Sequence, residues 1–244
     1  MILSIIILFC DKDVQYLKDI LSDIKNKIHI SHEIILVDNR ETNKSDLPEG
    51  DYKLISNGKN TYQMEGRRIG LDVASGQFTW FVDVDDNIIG DIYPEDIKGK
   101  LKSDIIQFYV DNPKIYPQIL PNTRHGEDIH IFGNELWSRF FNTELLKRCL
   151  NKVKRDIIFV GYEDIFIFEL INDNARSIAY IDKIIYKYNV DRSLRDGGSF
   201  TKDKFDKLEL GIENLEYLSS FLKNPKKFIS YIDAIHQYQN KQIT

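Results

Sequence analysis

The chain predicts an α/β domain, with a mixed, mainly parallel sheet flanked by helices and a helical appendage at the C-terminus. Three observations carry this reading. Ser4 to Phe9 is a continuous apolar run, the mark of a strand buried on both faces. Val14, Leu17, Leu21, Ile24 and Ile28 then recur at intervals of three and four, one stripe of an amphipathic helix. The order strand, helix, strand, loop, strand, helix, strand implies parallel pairing through helical crossovers.

The elements follow in order. Glu33 to Val37 is a second buried strand, and Asp38 to Asp51, with Pro48 and Gly50, reads as a loop. Tyr52 to Ile55 is a short third strand. Thr61 to Ala74 forms a helix that Ser75-Gly76 ends. Phe78 to Val82 is a fourth strand that runs into Asp83-Val84-Asp85-Asp86. Ile105 to Val110 is a further core strand. Residues 111–133 hold three of the six prolines and read as an irregular hairpin or flap. Thr143 to Leu150 is a short helix that Thr143 can cap, Glu163 to Ile171 is helical and Ile178 to Tyr188 is strand-like. Leu208, Ile212 and Leu215, then Phe228, Ile232 and Ile235, mark two helices of the appendage, placed at 201–244 after a domain of 1–200.

Composition narrows the function. A formal charge of −5 argues against a partner held through nucleic-acid phosphates. Cys10 and Cys149 are too few and too far apart for a disulfide framework or a CxxC metal site, so a reduced, cytoplasmic setting fits. The apolar N-terminal run lacks a preceding basic residue and is cut short by Asp11 and Lys12. It falls well below the ~20 residues of a membrane-spanning helix. In the appendage, Lys223, Lys226 and Lys227 lie beside a stripe of Phe228, Tyr231 and Ile235. That stripe would suit peripheral contact at the inner face of a membrane, packing on the domain, or a homodimer contact.

Ligands of open α/β sheets collect beyond the carboxyl ends of the strands. Asp11, Asp38 and the Asp83–Asp86 cluster all stand at such ends. Carboxylates crowded at the end of a buried strand repel one another, and a hard divalent cation, Mg²⁺ or Mn²⁺, would relieve that cost. The bland alternative is a solvated acidic turn. Adjacent Arg67 and Arg68 point about 100° apart on a helix, so one faces the sheet edge, able to bind a diphosphate or a carboxylate. Glu163 and Asp164 open a helix, where acids cap and complement the dipole. A carboxylate there can equally serve as a general base.

Taken together, Ser4-Ile5-Ile6-Ile7, Ile34-Ile35-Leu36-Val37-Asp38-Asn39, Gly66-Arg67-Arg68 through Ser75-Gly76, and Phe81-Val82-Asp83-Val84-Asp85-Asp86 resemble the family 2 glycosyltransferases. Gly133 to Leu146 is similar to the family's acceptor-side segment, and Gly161-Tyr162-Glu163-Asp164 to its Glu-Asp motif. The resemblance implies a GT-A (Rossmann-like) fold, with residues 1–90 as the nucleotide-sugar half and 91–200 as the acceptor half. It implies inverting transfer from a nucleoside-diphosphate sugar, a UDP-sugar favoured, to a glycan or lipid-linked acceptor, with Mn²⁺ or Mg²⁺. Asp38 would contact the base and Arg67 lie near the nucleotide. Asp83 would hold ribose or metal, Asp85 the metal, and Asp86 the donor sugar or metal. Asp164 would be the catalytic base, supported by Glu163, and Trp137 the floor for an acceptor sugar. Departures from the family pattern are Leu8, Cys10 and Asp11 after the first strand, where Phe9 could still stack on a base, and Asn39 leading into Arg40 after the second.

Two other readings compete. A haloacid-dehalogenase-type phosphatase would also place Asp83-Val84-Asp85 after an apolar strand. A sugar-nucleotide- or glycan-binding module would keep the fold without turnover.

Overall fold

The computed structural model describes residues 1–41, 47–56, 58–111, 135–155, 163–189, 192, 214–226, 228–230 and 233. The hairpin or flap expected at 111–133 and the first appendage helix, up to residue 213, lie almost wholly outside the described residues.

The first strand, β1 (Leu3–Phe9), is buried on both faces as its continuous apolar run requires. Ile6 faces one core, with Met64, Leu71 and Phe166, while Ile5 and Ile7 face a second, with Leu17, Ile24 and Trp80. Helix α1 (Val14–Lys27) seals that second core through Leu17, Ile20, Leu21 and Ile24, each worth about 1.5–3 kcal/mol when fully removed from water. Strand β2 (His32–Asp38) pairs parallel with β1, and β3 (Lys53–Ser56) pairs parallel with β2.

Helix α2 (Tyr62–Val73) crosses back over β1 and β2 on the opposite face. Its approach is close because of glycine. A Cβ on Gly70 would stand 2.5 Å from Ile6 Cγ2 and 3.0 Å from Val37 Cγ2. The helix then delivers the chain to β4 (Phe78–Asp83), parallel to β1 on its other side.

Beyond β4 the sheet becomes mixed. The two-residue β5 (Asn87–Ile88) and short α3 (Pro94–Ile97) lead to β6 (Ile105–Asp111). Strand β7 (Arg139–Asn142) follows a 3₁₀ turn at Leu136–Ser138 and pairs antiparallel with both β4 and β6. Helices α4 (Thr143–Leu150) and α5 (Glu163–Asn172) cover the first core, and β8 (Ile178–Lys187) runs parallel to β6. The order across the sheet is β3-β2-β1-β4-β7-β6-β8-β5. Asn142, rather than Thr143, caps α4: its side chain accepts from Leu145 N at 2.9 Å, while Thr143 Oγ1 pairs with Thr79 Oγ1 at 2.9 Å.

The described part of the C-terminal region packs on the domain. Short α6 (Leu215–Ser219) brings Leu218, and the following residues bring Leu222 and Phe228, into the core beneath α5, with Phe228 against Phe166. Phe228 is 1% exposed, so of the placements considered for its stripe this ring takes packing on the domain, while Tyr231 and Ile235 lie outside the described residues. Among the described residues, no helix is long and apolar enough to cross a membrane.

Candidate active site

The strand order reverses direction around β1: β2 and β3 lie on one side of it and β4 on the other. Such switch points open a crevice at the carboxyl ends of the strands. The register places Asp83 of β4 opposite Leu8 and Asp38 of β2 opposite Phe9, so two acids flank the end of one apolar strand.

Arg67 organises the β4 side. Its guanidinium donates to Glu163 Oε1 at 2.5 Å and to Asp83 Oδ1 at 3.3 Å, and lies over the Phe81 ring at 5.9 Å. Two segments far from it in sequence, β4 and the start of α5, therefore converge on this one side chain. Burial opposes charge on this guanidinium, but Glu163 and Asp83 outweigh it and hold its pKa above the ordinary arginine value. Glu163 is 3% exposed, and Gln63 donates to the same carboxylate when its amide is oriented with the nitrogen toward Glu163. Asp164, half-buried, accepts from Ile165 N at 2.8 Å, as an acid at a helix start does. Its charge also reaches Arg67.

Arg68 is buried as well, not solvated. It donates to the carbonyls of Val153 and Lys154, both at 2.9 Å, and so ties α2 to the end of α4. Neighbouring arginines about 100° apart serve two different partners, one at the cleft and one in the fold.

The three acids of the turn have separate surroundings. Asp83 has a side chain 38% exposed, with Arg67 as its guanidinium partner. Asp85 is half-buried in the turn. Asp86 is 1% exposed and faces inward, where it accepts from Tyr186 Oη and Asn189 N, each at 2.8 Å. Burial first, then the charges of Asp83 and Asp85, push Asp86 up to about 8 despite those two hydrogen bonds. Asp13 is raised too, by burial and by the charge of Asp83, although it accepts from Cys10 N at 2.7 Å. This corner is short of positive charge, and its donors are hard oxygens of the kind Mg²⁺ and Mn²⁺ prefer. The cluster therefore fits a divalent cation. Among the described residues no three His, Cys, Asp or Glu side chains form a group that could enclose one, so protein ligands would complete only part of a shell.

On the β2 side, Asp38 is 1% exposed and locked to Arg40, whose Nε and Nη2 donate to its two oxygens at 2.8 and 2.9 Å. The Arg40 guanidinium lies over the Phe9 ring at 5.2 Å, so both residues expected at a base are covered. Asp11 is exposed at the lip, and its charge helps hold the Arg40 pKa above its ordinary value, after the hydrogen bonds of Asp38. Asn39 fastens the next turn: its Oδ1 accepts from Thr61 N at 2.7 Å and its amide donates to Asn60 at 2.8 Å. Tyr62 follows at φ 59°, the left-handed region that non-glycine residues rarely occupy, at the start of α2.

The acceptor-floor expectation for Trp137 meets a different placement. The ring is 7% exposed and stacked on Tyr186 at 5.0 Å and Tyr188 at 5.9 Å. Its carbonyl accepts from Trp80 Nε1 at 2.7 Å, so Trp137 is a core residue behind the cleft. Tyr186, Asn189 and Arg40 were not found from sequence. A strand tyrosine carries no local mark of its partner, whereas the unexpected arginine after Asn39 was a visible signal.

The model of the family described as "Glycosyl transferase family 2" matches residues 4–161. The chain belongs to this family. It is a glycosyltransferase, and the phosphatase alternative falls away. Solved structures of S. aureus TarS share the fold. TarS 1–349 is 17% identical, with a TM-score of 0.59 over 92% of this chain and 82% of that one. TarS 1–349 in complex with UDP-GlcNAc is 17% identical, with a TM-score of 0.61 over 91% and 70%. A further S. aureus TarS structure is 17% identical, with a TM-score of 0.60 over 91% of this chain and 42% of that one. No curated protein sequence matches the chain. The GT-A reading of the family thus agrees with the mixed, mostly parallel sheet and its flanking helices.

Proposed function

We propose that the chain is a metal-dependent, inverting glycosyltransferase that moves a sugar from a UDP-sugar to a hydroxyl of a glycan or lipid-linked acceptor. The observation that carries this is the convergence of Asp83, Arg67 and Glu163 beside Asp164, at the switch point of a family 2 sheet. UDP-GlcNAc bound to a TarS structure of the same fold supports a nucleotide-sugar donor.

In this reading the diphosphate lies beyond β4, and Asp83 and Asp85 would hold Mg²⁺ or Mn²⁺. Bound there, the cation would supply neutralisation of the charge that grows on the leaving diphosphate. Asp86 acts from behind, keeping the turn in shape through Tyr186 and Asn189. Arg67 holds Glu163, and with it the start of α5, at a fixed distance from Asp83. Asp164 takes the proton of the acceptor hydroxyl as that oxygen bonds to the anomeric carbon. The carbon–oxygen bond to the diphosphate breaks on the opposite face, which inverts the centre and releases the nucleoside diphosphate.

Incubation with labelled nucleotide sugars and Mn²⁺, with and without candidate glycan acceptors, tests the proposal. Transfer or slow hydrolysis of a UDP-sugar, lost in Asp164→Asn, is expected. Turnover of no nucleotide sugar would overturn it.

A further inference from the structure

We propose that Asn189 is a positioning residue for the divalent cation: its side-chain amide fixes Asp85 from behind and so sets how tightly the acid turn grips the metal. The inference rests on the cation reading above and deepens it. The turn is weakly held by its own backbone. Its closing bond, from Asp86 N to Asp83 O, is long at 3.3 Å, and three acids within four positions push it open.

Asn189 stands just past the end of β8, more than a hundred positions away, and meets the turn at three consecutive residues. Its backbone N–H serves Asp86. Its Nδ2 carries two further bonds, to Asp85 O at 3.2 Å and to Asn87 Oδ1 at 2.6 Å. The side chain therefore acts on Asp85 and the backbone on Asp86, and a substitution at this position separates the two.

Chemistry fixes the direction of these bonds at both ends. Asp23 of α1, a carboxylate, takes Asn87 Nδ2 at 3.0 Å and Ile88 N at 3.1 Å. Asn87 must then turn its oxygen toward Asn189, which must answer with nitrogen, and the carbonyl of Asp85 asks for the same. Asn189 is itself anchored, because the preceding Tyr188 N donates to Asp111 O at 3.0 Å and ties the exit of β8 to the end of β6. The main chain of Asp85 is thus held against α1 on one side and the sheet on the other. An amide suits the place, since it donates twice and adds no charge to a corner already rich in carboxylates. Residues that orient a metal ligand in this way typically contribute about 10–100-fold to metal affinity.

Calorimetry of UDP at a series of Mn²⁺ concentrations, on the wild-type chain and Asn189→Ala, tests this. The Mn²⁺ concentration that gives half of the gain in UDP affinity is expected to rise about tenfold or more in the variant. UDP affinity without Mn²⁺ should stay as in the wild type. An unchanged Mn²⁺ requirement in the folded variant, with or without a lower melting temperature, is what a merely structural residue would give. It overturns the inference and leaves the donor reading standing. If Asn189→Ala does not fold, Asn189→Ser, which keeps one donor on a shorter arm, decides on the same terms, with a several-fold rise expected. A wild-type chain whose UDP affinity is indifferent to Mn²⁺ overturns the cation reading, and this inference with it.

Discussion

Arg67 and Glu163, 96 positions apart in sequence, meet in a 2.5 Å buried ion pair. Because the same guanidinium also reaches Asp83, the acids at the end of β4 and the start of α5 are parts of one charge network. Removing one partner of a buried pair typically costs about 3–5 kcal/mol. Arg67→Ala should therefore lower stability by about that much in a denaturant melt. Arg67→Lys keeps the charge but not the two-pronged geometry. It is expected to fold and to lose roughly one to two orders of magnitude in turnover, since a misplaced base is a poor one. Wild-type kcat in Arg67→Lys would show that the network does not position the chemistry.

Asp164 and Glu163 are adjacent but should fail differently. Asp164→Asn is predicted to cut kcat by about 10²-fold or more while nucleotide affinity holds, the pattern of a lost general base. Glu163→Gln should instead reduce thermal stability along with kcat, because it leaves Arg67 buried with less compensation. Steady-state kinetics, nucleotide titration and a melt on both variants separate the two roles.

Glu33 makes a prediction about acid. It is covered by its partners: Ser4 Oγ at 2.7 Å, Ser75 N and Oγ at 2.7 Å, and Lys53 Nζ at 2.6 Å. Burial works against its charge, yet those hydrogen bonds prevail and bring it down to about 2 from 4.5. A folded pKa below the unfolded one gives stability that is complete above about pH 4.5 and is lost as pH falls toward 2. Glu33→Gln should lower stability at pH 7 by about 1–2 kcal/mol, the Lys53 end being exposed and screened. It should also flatten the stability profile between those pH values. Parallel wild-type and variant profiles through that window would exclude Glu33 as a source of acid sensitivity.

Gly70 tests how closely α2 must lie on the sheet. Alanine would gain up to about 1 kcal/mol of helix propensity. The added methyl would, however, press on branched carbons of Ile6 and Val37, and overpacking of this kind costs about 1–3 kcal/mol. A net loss of about 1–2 kcal/mol is expected in Gly70→Ala. Activity should fall as well, because Arg67 stands one turn earlier on the same helix. A more stable, fully active variant would show that α2 tolerates displacement.

The parts of the fold legible in the sequence were those written in local pattern. Continuous apolar residues announced β1 and β4, and three-four spacing announced α1. Ser75-Gly76 marked the end of α2. Strand β5 escaped notice because two residues, Asn87 and Ile88, are held by pairing with β8, almost a hundred positions later. Side-chain roles were harder. Trp137 could be read as core or as a sugar platform, and only Tyr186 and Tyr188 stacked against it decide for the core. Asp38 stood where expected, but its partner Arg40 covers it, a choice made by tertiary geometry.

The central claim is that the acids at the end of β4 bind a nucleoside diphosphate through a shared divalent cation, and titration of UDP into the protein with and without Mn²⁺ tests it most directly. Binding that tightens at least about tenfold with Mn²⁺, and loses that gain in Asp85→Ala, is the result predicted. Equal UDP affinity in both conditions, or a full Mn²⁺ effect in Asp85→Ala, would contradict it.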